Sequence, residues 1–376
     1  MGVPLSPKAY RRVAREAVSQ PFAPAASALN EDWGTDYDGK QIQRWAQSAG
    51  EQLLTQQAVE RQAYQQGRRP TGPANDPALL VIGMDGGRVQ SREKPPESPE
   101  SPKPPKPPES PEKSPEKLLA SSGRGAPEDG TDTSGGSRWR EDKVLTISSY
   151  LPGNGQDEKP QPLVTTYLAT MHASDAFGVL ARLEAERRGI RQAAQVIVIG
   201  DGAAWIDTLH LRHFGSHVRI IDWYHAAEHL HDVAKAAHPE HAGKQKQLAD
   251  QLTEALWNGR VKQVIQQIEP LAEHAGPPHA DDPPDHPRRM LKQNVGYFQR
   301  HAEQMNYPAY RQRGWPIGSG MTEAGVKQFN KRVKGTEQFW HTAGVEPILA
   351  LRSLWLSNDD RWQHYWSCGS TLRQAA

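Results

Sequence analysis

From position 93 to 118 the chain reads EKPPESPESPKPPKPPESPEKSPEKL, a tract of proline, serine, glutamate and lysine that ends on its single leucine. A segment without apolar side chains cannot enter a core, and its prolines favour extended, solvated backbone of polyproline II type. The Gly/Ser/Asp-rich stretch from Ser121 to Ser137 continues this character. Any fold must therefore be assembled from the sequence on either side, with 91–138 as a disordered Pro-rich loop. Two uses fit the tract: an insertion the fold tolerates, because closing a longer loop costs little extra entropy, and a docking strip for a proline-binding partner.

The tract explains part of the low hydrophobic fraction, 36%. In 376 residues, two or three folded units are expected. Lys and Arg number 45 against 44 Asp and Glu, so a nucleic-acid-binding surface would have to come from local clustering of charge. The single cysteine, Cys368, excludes an intramolecular disulfide and any cysteine-based zinc cluster and suits a reducing compartment. No apolar run approaches the roughly 20 residues of a membrane span, which points to a cytoplasmic protein without a membrane partner.

Ahead of the tract, residues 7–68 have helical periodicity. In GKQIQRWAQSAG, Lys40, Arg44 and Gln47 share one face, with Ile42 and Trp45 inward. This is either the second helix of a helix-turn-helix, which would lay Lys40 and Arg44 on DNA, or a plain packing helix. ALLVIGMDGG (78–87) reads as a buried strand ending in a turn. WREDKVLTISSYL (139–151) and QPLVTTYLATMHA (161–173) alternate as strands do and extend a meander from the first. A helix over 175–188 precedes AQVIVIGDGAAWI (194–206), an apolar strand with an acidic turn and a helix start, and HVRIIDWYH (217–225) repeats that logic. Residues 226–310 are mostly helical around a His/Pro-rich loop at 274–287, and GWPIGSGMTEAGVKQFNKRVKG (314–335) is a loop feeding a helix. Three meander strands followed by alternating helix and strand predict an α/β fold with a mixed sheet.

Three acids occupy equivalent places in this pattern. Asp85 and Asp201 follow apolar strands and Glu323 opens the last helix, each more than a hundred residues from the next. Strand ends at one sheet edge converge in space, so only the fold can bring these groups together. Three carboxylates suit hard divalent cations such as Mg²⁺, a pair of which can clamp a phosphodiester. Each acid alone has a plainer reading: Asp before Gly is common turn chemistry, and a carboxylate near a helix start is favoured by the helix dipole. On the last helix Val326, Phe329 and Val333 form the expected buried stripe, and Lys327, Lys331 and Lys334 trail Glu323 on the other side, as phosphate contacts or as a solvated face. A competing signal is His225, Glu228 and His229, which match the H-x-x-E-H pattern of zinc peptidases but have no third ligand at a natural spacing.

Taken together, VIGMDGG, VIVIGDGAAWI, IIDWYHAAEHL, GWPIGSGMTEAGVKQFNKRVKG and ILALRSLWLSNDDRWQHYW resemble transposases of bacterial insertion sequences of the Kra type, relatives of the Mutator-like DDE transposases with an all-helical insert. The resemblance covers roughly 78–90 and 139–366. It implies a ribonuclease-H-like core over 76–223, interrupted by the loop 91–138, and 314–376, with a helical insertion over 224–313; ahead of it stands the N-terminal helical region over 1–75, read above as either a helix-turn-helix DNA-binding region or a packing module. It implies Asp85, Asp201 and Glu323 as the metal-binding and catalytic triad for Mg²⁺ or Mn²⁺, with Asp222 and His225 as a supporting pair. The implied partners are transposon ends and target DNA, with a homo-oligomer assembled on them near the nucleoid. The implied reaction has two steps: hydrolysis at the element's ends frees a 3′-hydroxyl, which then attacks target DNA in line. Against the relatives, the loop after the first acid strand is unusually long and the N-terminal region lacks a cysteine-rich segment. Two other activities share these residues: a DNA-binding derivative that no longer cuts, and a nuclease that cuts without joining.

Overall fold

The structure, a computed structural model, describes residues 5–91, 138–153, 159–335 and 338–368; the Pro-rich tract lies outside them. Three helices come first: α1 (Pro7–Ser19), α2 (Phe22–Trp33) and α3 (Gly39–Gln65). The Asp38 side chain caps α3 by accepting from Gln41 N, and the Gln41 side chain accepts in return from Asp38 N, so two orphan N–H groups at the helix start are satisfied. Next come β1 (Leu79–Ser91), β2 (Arg138–Leu151), β3 (Gln161–Thr170), α4 (Ser174–Arg187), β4 (Gln195–Gly200), α5 (Ala204–Leu209) with a π-helical turn at His210–Phe214, and β5 (Val218–Ile221). Five helices follow: α6 (Trp223–Ala237), α7 (Ala242–Trp257), α8 (Val261–Ala275), α9 (Pro287–His301) and α10 (Tyr307–Gln312). The chain closes with α11 (Gly320–Val333), α12 (Thr342–Leu356) and α13 (Arg361–Cys368).

The five strands form one mixed sheet in the order β3-β2-β1-β4-β5. β1 to β3 are antiparallel neighbours, whereas β4 runs parallel to β1 and β5 parallel to β4. The expected meander and mixed sheet form, and the last two strands extend the sheet in parallel. β1 is longer than its apolar run because it stays paired with β2 up to Ser91 opposite Arg138, so the two ends of the Pro-rich insertion leave the sheet side by side.

Alternation along β1 assigns its faces. Leu80, Ile82 and Met84 pack under α4 and α5 with Phe177, Ala181, Ile206 and Leu209. Leu79 and Val81 face the other way, into a core shared with α6 to α10. Further along that same face Val89 joins Phe329 and Val333 of α11, Ile348 and Leu349 of α12, and residues of α1 to α3. The N-terminal helices thus share a core with the sheet and the C-terminal helices. Gly50 of α3 lies so close to α12 that a methyl group there would come within 2.3 Å of the Pro347 carbonyl oxygen.

Some expectations change in detail. Gln47 does not stand outward with Lys40 and Arg44; it donates to the Gly344 carbonyl at 3.0 Å, because α12 lies along α3. On α11 the buried side is Thr322, Gly325, Phe329, Arg332 and Val333, and Val326 is only half-buried. Arg332 is enclosed because its guanidinium donates to the Ala17 carbonyl at 2.6 Å and stacks over Phe22 and Trp340.

The C-terminal helix is fastened by an ion pair. Buried Glu184 of α4 meets Arg361 at 2.6 Å and Arg187 at 3.1 Å. Burial pushes the Glu184 carboxyl up, but the two guanidinium groups outweigh it and hold it at about 2. A carboxyl depressed in the folded state stabilises fully above its unfolded value, near 4.5, and loses that contribution as pH falls towards 2. Glu184→Gln should cost about 3 kcal/mol at pH 7, as expected for breaking a buried pair, and flatten the loss of stability between pH 4.5 and 2. Urea denaturation across that range checks both; a variant that keeps the wild-type pH slope would show that other acids carry it.

Candidate active site

Three glycines flank Asp85 along Gly83-Met84-Asp85-Gly86-Gly87. Gly83, Asp85 and Gly87 share the face turned to α11. A methyl group on Gly83 would fall 1.9 Å from Thr322 Oγ1 and 2.8 Å from Thr146 Oγ1, and those two hydroxyls are hydrogen-bonded at 2.8 Å. The missing side chain at 83 thus lets the first turn of α11 sit directly on β1. Glu323, next to Thr322, is carried to the neighbourhood of Asp85.

Asp201 arrives from the other side. It follows β4, which is parallel to β1, and Gly202 turns the chain away with φ +90°, a conformation that favours glycine. Asp201 Oδ1 accepts from Ala203 N at 2.9 Å, and its carbonyl accepts from the Tyr297 hydroxyl at 3.0 Å. Tyr297 belongs to α9, so the helical insertion holds the Asp201 turn. Its hydroxyl is anchored there, and burial, then the charge of Asp201, lifts its pKa beyond the ordinary tyrosine range.

The three acids come into one electrostatic neighbourhood. Asp85 gives one oxygen to Gly86 N at 2.6 Å, and its pKa is raised to about 6. Burial is the largest cause; the Gly86 hydrogen bond opposes it, the charge of Asp201 adds to it, His225 lowers it, and Glu323 raises it again. Glu323 is half-buried in the first turn of α11, and Lys327 one turn on is 3.8 Å from its Oε2.

Asp222 supports the arrangement through backbone alone. It is buried, and its Oδ1 accepts from Tyr224 N at 2.6 Å and His225 N at 3.0 Å, capping α6. Its Oδ2 accepts from Ser319 N, which pins the loop entering α11 to the end of β5. His225 lies near Asp85, and its Nδ1 is 3.4 Å from Glu228. His229 turns elsewhere: its Nδ1 is 2.7 Å from Asn294 Oδ1 and its ring stacks on Tyr297 at 3.9 Å. The two histidines serve different partners, and the zinc-peptidase pattern forms no joint site here.

Of the expected DNA contacts, Lys327 is 79% exposed and Lys331 is exposed on the same side of α11. Lys334 is exposed too, but its ammonium lies 5.2 Å from the Trp139 ring centre. Lys40 and Arg44 are exposed at the start of α3.

Sequence reasoning overlooked Asp142. It is fully buried on β2 opposite Gly87, and neither carboxylate oxygen has a hydrogen-bond partner outside its own residue. Burial raises its carboxyl to about 6; its own backbone N–H opposes this, and the charges of Glu141 and Asp85 add to it. Alternation along WREDKVLTISSYL puts Asp142 on the face of Val144, but its charged neighbours Glu141 and Lys143 carry no sign of which face is covered.

Among the described residues no group of three or more His, Cys, Asp or Glu side chains stands ready-made around a single ion. The donor set nevertheless fits a hard divalent cation in kind. It offers carboxylate oxygens only, Asp85 and Asp201 each commit one oxygen to a backbone N–H, and nearby Asp142 has both oxygens unpaired. No protein-family profile matches the chain, and no curated protein sequence is similar to it. Among the described residues no helix is long and apolar enough to cross a membrane.

Proposed function

We propose that this chain is a DNA transposase with a ribonuclease-H-like core, using Asp85, Asp201 and Glu323 on Mg²⁺ or Mn²⁺. The observation that carries the reading is that Asp201 and Glu323, each more than a hundred residues along the chain from the acid before it, are both near enough to Asp85 for their charges to act on its carboxyl. The sheet order, a meander extended by two parallel strands, supports the core assignment. The helices between β5 and α11 support the insertion, because they explain why Glu323 comes so late, and one of them, α9, reaches the Asp201 turn through the Tyr297 hydroxyl. A pair of ions held there would activate an attacking hydroxyl and stabilise the leaving oxygen of a phosphodiester. Asp85 and Asp201 are fixed by their backbone hydrogen bonds, Asp222 holds the entry of α11 in place, and Glu323 closes the site from that helix. The exposed lysines beyond Glu323 suit a phosphate backbone running past the acids, with DNA ends and target as substrates and a second copy of the chain as partner on them.

The deciding experiment incubates the full chain with Mn²⁺ and duplexes bearing the DNA that flanks its gene. Transposition requires a cut that leaves a 3′-hydroxyl at a fixed position, followed by a joined product. Cutting without joining would replace the reading with a nuclease, and binding without cutting would replace it with an inactive derivative.

The lysine face makes its own prediction. If Lys327 and Lys331 follow a DNA backbone, changing both to Ala weakens binding to unrelated duplexes alike. The slope of log affinity against log salt should flatten by roughly 0.9 per lost contact. A salt titration of wild type and double variant on two duplexes measures this. An unchanged slope would leave the lysines as a solvated face.

A further inference from the structure

A buried carboxylate without a partner costs several kcal/mol unless something compensates its charge, and Asp142 is such a group: 0% exposed, with both oxygens unpaired. The strand register says where it stands. Val144 is opposite Asp85 and Asp142 is opposite Gly87, and opposite residues of an antiparallel pair share a face. Asp142 is therefore the diagonal neighbour of Asp85 on the side turned to α11. Gly87 makes its position possible, since a methyl group there would lie 2.5 Å from Asp142 Oδ1.

The cations nearby are engaged elsewhere. Lys143 points to the opposite face, where it binds Glu141 at 2.9 Å and lies 4.5 Å from the Trp205 ring centre. Arg140 is on the same face but donates to Thr342 Oγ1 at 2.7 Å. Of the charged groups that act on Asp142, Glu141 and Asp85 share its sign and outweigh the Lys143 ammonium, which acts from the other face. Diagonal neighbours lie about 7–8 Å apart. That span fits ions about 4 Å apart with ligand distances of about 2 Å.

We propose that Asp142 is a fourth carboxylate of the cation site, an additional oxygen donor to the divalent ions that Asp85 faces. This rests on the metal-dependent reading above and extends it by one ligand that neither the strand-end pattern nor the family motifs supply. Gly83 and Gly87 then have matched purposes: one admits α11 with Glu323, the other admits Asp142, and Asp85 stands between them.

The test uses the full chain, freed of metal and titrated with Mn²⁺ alone, with free Mn²⁺ followed by electron paramagnetic resonance. Asp142→Asn should weaken Mn²⁺ binding about 10–100-fold, while Asp85→Asn should abolish it. The metal-free Asp142→Asn chain should melt no lower than wild type, because an unpaired buried charge is removed, and its Tm should rise less on adding Mn²⁺. A second variant, Gly87→Ala, leaves the acid in place but takes its space, and should weaken Mn²⁺ binding in the same direction. Wild-type Mn²⁺ affinity in folded Asp142→Asn or Gly87→Ala, with loss in Asp85→Asn, would overturn the Asp142 assignment alone. Retained affinity in Asp85→Asn would overturn the metal site itself, and the Asp142 assignment with it.

Discussion

Asp85→Asn, Asp201→Asn and Glu323→Gln should each lower DNA cleavage at least about a thousandfold, about 4 kcal/mol of transition-state stabilisation, in proteins that remain folded. Each change keeps side-chain volume and removes one anionic donor. For Asp85 the expectation is sharpest. The half-buried carboxylate feels two others of like sign, so the amide should fold at least as well, and lost activity could not be ascribed to lost structure. Glu323→Gln also releases the exposed Lys327 from a pair at 3.8 Å that adds little to stability. Melting temperature and Mn²⁺-dependent nicking of a labelled duplex, measured on the same preparations, separate the effects. A loss of only a few-fold in any one variant would remove that acid from the triad.

Elements with strong periodicity were legible in the sequence. The apolar runs before Asp85 and Asp201, the alternation of β2 and β3 and the amphipathic α4 each announced themselves, and their sequence implied a mixed sheet. What periodicity could not show was closeness. Gly83 reads as a weak point in a strand, and only the packing of Thr322 against it shows that it is the seat of α11. Gln47 has the spacing of an outward residue, yet α12, far along the chain, covers it. Arg332 reads as one more cation beside the lysines of α11, and its aromatic enclosure depends on Phe22 and Trp340, which come from distant segments. Asp142 was hidden differently, since register with Gly87 decides its environment and register is not written in either strand alone. Three acids were legible as candidates, whereas the glycines that let α11 and β2 side chains close on β1 were not.

Gly83→Ala isolates that shelf. Alanine costs less backbone entropy than glycine, so local propensity alone predicts a slightly stabilised strand. The packing predicts the reverse. The new methyl group would overlap Thr322 Oγ1 at 1.9 Å and crowd Thr146 Oγ1 at 2.8 Å, so either α11 lifts or the hydroxyl pair breaks. Overpacking of this kind costs about 1–3 kcal/mol. Lifting α11 by about 1 Å moves Glu323 with it and should lower cleavage about a hundredfold, although no acid has been touched. Thr322→Ala in the same chain removes the hydroxyl that the methyl meets. The double variant should regain part of both stability and cleavage, a coupling that independent sites would not show. Chemical denaturation and duplex cleavage across the four proteins of this cycle give the result. If Gly83→Ala alone matched wild type in both, α11 would not rest on β1 at this point, and the meeting of Glu323 with Asp85 would lose its structural cause.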